Sequence, residues 1–380
     1  MKTFALLLAS AAAAIAGPLA AQDFAITNAT VATGDGSDPV ENATVVVRGG
    51  RVVAAGTGVA VPAGVETIDG AGSWVTPGLV ATVTSLGLWD VGAVSESNDT
   101  NAGNSPFSAA LDAAPAINPN SQHILVHRAA GVTRAASVTM PASSIFGGQG
   151  SIIDLGADMN PITRARAFQV VTLGESGARL AGGSRASTHA LFRNALREAN
   201  QFGEDGQIPG VASRPAEQST GDDLPIDPRL ADNQTERGDD SLLTRFDAAA
   251  LVPVVRGEQQ LYVMVERASD ILATLALKRD FPRLDMVRVP GADGLSWGQA
   301  FATITSVPAQ ISGLSGRAGM LTPGGMGDVV MWDGDPLEVG SMPTRVFIDG
   351  VEQPLENHQS RLKDRYRDLD TSDLPKGYDW

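Results

Sequence analysis

The sequence contains no cysteine. Disulfides, zinc fingers, thiolate metal sites and cysteine nucleophiles are therefore excluded. Histidine is scarce too, with only His123, His127, His189 and His358. Any site built on imidazoles must draw on these four. Basic residues are in deficit: 28 Lys+Arg stand against 43 Asp+Glu, a net charge of −15. Such a chain is repelled by a phosphate backbone, which argues against a general nucleic-acid role. After the amino-terminal segment, no stretch is apolar enough to span a bilayer. No Gly-x-Ser-x-Gly elbow is present. The run Gly147-Gly148-Gln149-Gly150 lacks the Lys-Ser/Thr of a phosphate loop and reads as a turn between short strands.

What is there is a globular composition. The 380 residues are 43% hydrophobic and 19% charged, a prior of two to three domains or one large barrel. Lys2, the apolar run Phe4 to Ala16, the Gly17-Pro18 break and Leu19-Ala20-Ala21 predict a signal peptide over residues 1–21. The apolar run falls short of the ~20 residues of a spanning helix. Cleavage near Ala21 implies a periplasmic or secreted protein. Export without cysteine fits a periplasm, where a larger core dispenses with disulfides.

Three zones follow. From Gln22 to Pro77, short β-type runs at 26–31, 44–48, 51–54 and 65–69 predict a small antiparallel sheet, with Gly49-Gly50 as a hairpin turn. From Leu79 to Gly313, strand signals at 79–84, 133–138, 167–173, 261–266 and 284–289 alternate with helix signals at 121–130, 184–202, 269–281 and 296–307. Ser269 and Asp270 suit a helix cap. This alternation predicts a parallel α/β sheet or barrel. Within it, residues 203–241 are rich in Asp, Glu, Gly and Pro and predict a solvated insertion. The third zone returns to β signals at 328–332 and 344–348, with a turn at Asp349-Gly350. A charged helical stretch at 361–367 lies in a tail over 354–380.

The runs ITNATVATGDG, NATVVVRGGRVVAAG and TIDGAGSWVTPGL, with GMLTPGGMGDVVMWDGDPL and RVFIDGVEQP near the other end, resemble the two edges of the amidohydrolase superfamily. The closest flavour is its imidazolonepropionase-like group, exported bacterial members included. The resemblance implies a β-sandwich built from residues 22–77 and 319–353. It also implies a TIM-type (β/α) barrel over residues 78–318. By family the activity is metal-dependent hydrolysis of carbon–nitrogen bonds other than peptide bonds, such as those of cyclic amides, and the cofactor is zinc.

The chemistry departs from the family. The His-x-His pair that follows the Pro-Gly-Leu turn is replaced by Val83 and Ser85. Valine has no donor atom, and a serine hydroxyl is a poor zinc ligand. Where a later histidine would sit, the run LYVMVERASDIL offers Met264 and Glu266. The single barrel lysine, Lys278, falls in a helix pattern. His123 and His127 are one helical turn apart without a following acid, His189 falls on a helix with Arg193 and Arg197, and His358 is in the tail. After the insertion is removed, the barrel zone keeps about 196 residues, against the ~250 typical of a complete (β/α)₈ barrel. The fold expected is therefore an α/β chain with an incomplete barrel beside a sandwich.

Weak site candidates remain. Glu266 and Asp270 flank the end of a barrel strand and could serve as a base or a lone ligand. Glu96 and Asn98, in the loop after the first barrel strand, and Gln149 are substrate-binding candidates. Carboxylates such as Asp90, Glu96 and Glu266 suit magnesium held loosely with several waters, not zinc. Three functions are open: a hydrolase of the family, a non-catalytic relative that binds a ligand or partner, and a shortened chain left by internal deletion. The partners left open are a small molecule and a second copy of the chain.

Overall fold

The computed structural model describes residues 21–206, 242–287 and 295–367. Residues 1–20 of the expected signal peptide, 207–241 of the expected insertion, 288–294 and the tail from 368 lie outside the described residues.

The first sheet joins both ends of the chain. Its strands are β1 (Phe24–Val31), β2 (Val40–Arg48), β3 (Arg51–Gly56), β4 (Glu66–Asp69) and β5 (Trp74–Pro77). They are completed by β12 (Val329–Trp332), β13 (Pro343–Ile348) and β14 (Val351–Glu352). The order is β14-β13-β12-β5-β1-β2-β3, with β4 pairing β1. Strand β5 carries no alternation between Gly72 and Pro77, so the sequence reading passed over it. It forms because Trp74–Pro77 bridges β1 on one side and β12 on the other. The sheet is continuous and folds over. Phe24 on β1 and Phe347 on β13 are three strand steps apart, about 14 Å in a flat sheet, yet their rings stack at 4.2 Å. Ile26, Val45, Val47, Val75 and Val329 fill the space between its halves.

The second sheet holds β6 (Leu79–Thr84), β7 (Val132–Ser137), β8 (Phe146–Asp154), β9 (Ile162–Thr172), β10 (Gln260–Met264) and β11 (Met286–Val287). Five of these are parallel to one another and correspond to the five expected barrel strands. The sixth, β8, runs against both neighbours. Its Gly147-Gly148-Gln149-Gly150 run is thus strand and not a turn. The glycines are there for packing: a Cβ on Gly150 would lie 2.1 Å from the Phe168 ring.

The outer layer contains α1 (Gln122–Ala129), α2 (Glu175–Leu180), α3 (Arg185–Asp205), α4 (Arg245–Arg256), α5 (Ala268–Ala276), α6 (Trp297–Ala302), α7 (Ser306–Ile311) and α8 (His358–Arg367). Helix α3 takes up residues 203–205 of the expected insertion. Helix α5 starts from Arg267 without a side-chain cap, because the Asp270 carboxylate turns to Arg185 instead. The single helix expected at 296–307 is two. Pro308 has no N–H and is tolerated only in a first turn, so the helix breaks and restarts ahead of it. Helix α4 was not anticipated. Its signals are Thr244, which caps the Asp247 N–H, and Gly257 in the left-handed conformation at its end.

The second sheet curls into half a barrel. The face that bears Val80 and Phe168 is covered. Val80, Ala136, Ile152, Phe168 and Tyr262 from five strands pack against Ala309, Leu314 and Met326. The Tyr262 hydroxyl donates to the Ile311 carbonyl at 3.0 Å, and the Val80 N–H donates to the Ile304 carbonyl at 3.0 Å. Burial pushes the Tyr262 hydroxyl up to about 12.

One buried cation ties the two sheets together. Arg134 on β7 is fully buried and donates twice to Asp328 at 2.8 and 2.9 Å, and once to Asp349 at 2.7 Å. Asp154 lies 3.8 Å from the same guanidinium. Burial pushes the Asp154 carboxyl up to about 6, against the Arg134 attraction and a bond from the Gly156 N–H. The folded chain therefore holds the Asp154 proton more tightly than the unfolded one. The cost is absent below the unfolded value of 3.8, grows between there and 6, and is complete above it. Asp154→Asn keeps the acceptor for Gly156 and removes the charge. It is expected to stabilise the protein by about 1–3 kcal/mol at pH 8 and to lose that advantage towards pH 4. Urea midpoints of wild type and variant across that range check it.

Candidate functional site

In a barrel the site lies on the carboxyl ends of the strands. At the end of β6, Val83 has φ 50°, a rare conformation for a β-branched residue. Its side chain is half-buried and packs against the core of the half-barrel. The Thr84 hydroxyl donates to the Ala136 carbonyl. Ser85 is half-buried beside them. At the end of β7 the Ser137 hydroxyl donates to the Leu86 carbonyl at 2.7 Å. The positions where the family resemblance puts two imidazoles thus hold a hydrocarbon and a hydroxyl.

The end of β10 carries a charged cluster. Met264 is partly exposed and makes the turn to α5. The exposed Glu266 carboxylate lies against Gly174 and accepts the Glu175 N–H at 3.2 Å. It thereby caps the start of α2, and it is Glu175, not Glu266, that pairs with Arg267. Asp270 is buried, accepts from Arg185 at 3.0 Å and lies 3.6 Å from His189 Nε2. Glu175 also reaches Arg185 at 3.3 Å. Glu266 and Asp270 therefore share a neighbourhood through Glu175 and Arg185. The cluster joins α2, α3 and α5 by charge.

The remaining candidates are spread out. Glu96 is exposed and accepts from the Ser95 hydroxyl at 3.4 Å. Asn98 organises its own loop: its Oδ1 accepts the Asp90 N–H, and its Nδ2 donates to the Val91 and Val94 carbonyls. Gln149 sits in the middle of β8 and accepts from Gln259 Nε2 at 3.5 Å. Among the described residues, no hydrogen bond or ion pair joins Glu96 or Asn98 to Gln149, Glu266 or Asp270.

The imidazoles are also dispersed. The His123 ring stacks on Trp89 at 4.9 Å, and His127 Nδ1 bonds the His123 carbonyl at 2.7 Å, so the two rings do not share a ligand. His358 opens α8 and, with His123 and Asp90, lines a cavity of about 460 Å³. No group of three His, Asp or Glu side chains among the described residues is arranged to hold a metal ion. The donor set at the end of β6 does not fit zinc, which takes about three protein ligands from nitrogen, sulfur or carboxylate oxygen.

Two residues that sequence reasoning missed stand out. Asp247 and Glu198 are buried carboxylates bonded to backbone N–H groups of distant segments. Thr244-x-x-Asp247 is a capping pattern and was legible as such. The contacts of Asp247 with Ser108 and Ala110, and of Glu198 with Leu242 and Leu243, span 44 to 139 residues and carry no local signal.

The comparisons agree with this architecture. A family model described as "Amidohydrolase family" matches residues 273–352. Amidohydrolase tasK of Hapsidospora irregularis is 43% identical over 60 residues, which cover 16% of this chain. That stretch spans only 6% of the fungal protein's length. A crystal structure of an amidohydrolase from Thermotoga maritima MSB8 superposes with a TM-score of 0.69 at 21% identity, covering 87% of this chain and 99% of that one. The superposition shows a mixed α/β, barrel-type fold, and residues 273–352 are similar to the amidohydrolase family.

Proposed function

We propose that this protein derives from hydrolases of carbon–nitrogen bonds other than peptide bonds, such as those of cyclic amides. In this reading its own zinc site is lost, and it acts as a ligand- or partner-binding member of the amidohydrolase superfamily. The observation that carries the reading is Val83 at the end of β6, a side chain without a donor, in a strained backbone conformation and turned into the core. A hydrolytic zinc must polarise a carbonyl and hold a hydroxide, and it needs converging ligands to do both. The packing of Ala309, Leu314 and Met326 over the Val80 and Phe168 face of the half-barrel supports the same reading. Export through the signal peptide at 1–21, with a periplasmic location, is part of it.

Metal analysis of protein purified in zinc-supplemented buffer tests the proposal. The expected result is well under one zinc per chain and no chelator-sensitive turnover of a cyclic amide such as hydantoin. Val83→His with Ser85→His is expected not to restore activity, because two ligands still fall short of about three. Stoichiometric zinc with chelator-sensitive hydrolysis would overturn the reading.

A second reading, retained hydrolysis without zinc, is favoured by the Glu266, Asp270, His189 and Arg185 cluster at the end of β10. Metal-independent turnover that Glu266→Gln abolishes would select it.

A further inference from the structure

A second cavity lies outside the half-barrel, among the outer helices. Its volume is about 280 Å³, near the lower end of sites that hold small molecules. Phe107, Phe146 and Leu191 form its apolar wall, and Ser144, Thr244 and Asp247 its polar side. Among the described residues, no lysine, arginine or histidine lines it. Arg245, next to Thr244 in the chain, stacks over the outer face of Phe246 at 5.2 Å instead.

Asp247 is the distinctive group. It is 3% exposed and has no ion-pair partner among the described residues. Its Oδ1 accepts the N–H groups of Ser108 at 2.9 Å and Ala110 at 2.8 Å, and its Oδ2 accepts the Thr244 hydroxyl at 2.7 Å. These donors hold the carboxylate in place without neutralising it, and Oδ2 keeps lone pairs to spare. A second buried carboxylate, Glu198, accepts the N–H groups of Leu242 and Leu243 on the same segment, again with no cation among the described residues. Two buried carboxylates beside one cavity, with no cation on either among the described residues, are costly. A bound cation would lower that cost. The Phe107 and Phe146 rings offer it faces or edges, and the Ser144 and Thr244 hydroxyls accept hydrogen bonds from it.

We propose that this cavity binds a small organic cation, a primary amine with an apolar body, with the ammonium on Asp247 and the body against Phe107, Phe146 and Leu191. The site shares no lining residue with the Glu266, Asp270, Arg185 and His189 cluster and does not depend on whether any hydrolysis survives there.

Phenethylamine is the probe, with phenethyl alcohol and phenylacetate as its neutral and anionic counterparts. Calorimetric titration of the full chain at pH 7 is expected to show the amine binding at least about tenfold tighter than the alcohol, the scale of one charge-assisted hydrogen bond. Phenylacetate is expected not to bind. Asp247→Asn, which keeps Oδ1 and removes the charge, is expected to weaken the amine about tenfold or more and leave the alcohol unchanged. Leu191→Phe, which fills the cavity without touching Asp247, is expected to abolish amine binding while the protein still unfolds cooperatively. It therefore keeps the test valid even if Asp247→Asn does not fold. Equal binding of amine and alcohol, preference for phenylacetate, amine binding that survives Leu191→Phe, or no binding of the amine to wild type would each overturn the proposal.

Discussion

Replacing Arg134 with methionine is expected to destabilise the protein by about 3–5 kcal/mol, the scale for removing one partner of a buried ion pair. The guanidinium is fully buried and donates two hydrogen bonds to the Asp328 carboxylate, itself only 2% exposed. Without it, a negative charge stays in the interior with the Asp349 N–H as its remaining donor among the described residues. Methionine fills much of the volume, so lost packing is the smaller part. The double change Arg134→Met with Asp328→Asn removes the stranded charge and is expected to recover a large share of the loss. Urea unfolding followed by circular dichroism measures both. A single variant within about 1 kcal/mol of wild type would show that Arg134 does not clamp the two sheets.

The second large effect is expected at Phe168. Its ring is fully buried, stacks on Tyr262 at 4.2 Å and lies beneath Gly150 on the neighbouring strand. Phe168→Ala is expected to cost about 3–5 kcal/mol through lost burial and the cavity left behind. Gly150→Ala pushes a methyl into the same ring and is expected to cost about 1–3 kcal/mol. Together they should cost less than the sum, by about 0.5–3 kcal/mol, because the smaller residue at 168 makes room for the methyl. Denaturant midpoints of the three variants complete the cycle. Strict additivity would mean that the two positions do not share this space.

The readable parts of the fold were those with a local signature. Val45 and Val47 with Gly49-Gly50 mark a hairpin within a few residues. Ser121 caps the helix that begins at Gln122, one residue inside the expected span. The strand at 79–84 has the bounds its apolar run announces. Strands β5 and β8 were missed for opposite reasons. Trp74–Pro77 is too short to show a period, and Phe146–Asp154 contains three glycines that mimic a turn. Both are strands because their partners hold them.

At the candidate site, composition alone carried much of the reading. Four histidines, no cysteine, and valine and serine after the Pro-Gly-Leu turn are facts of the covalent chain, and ligand chemistry follows from them directly. Partnership could not be read in the same way. Glu266, a candidate base or lone ligand, instead caps α2 through the Glu175 N–H. Asp270 looked like a cap and instead holds Arg185 beside His189. Arg134, Asp154, Asp328 and Asp349 come from segments up to 215 residues apart. Side-chain type and local period are properties of neighbouring residues, so the sequence by itself determined the resemblance to a superfamily, the strand and helix alternation and the missing imidazoles. Which carboxylates are buried, and whether a cation or only N–H groups meet them, depends on contacts between distant segments, so the tertiary structure alone decided the Arg134 clamp and the pocket at Asp247.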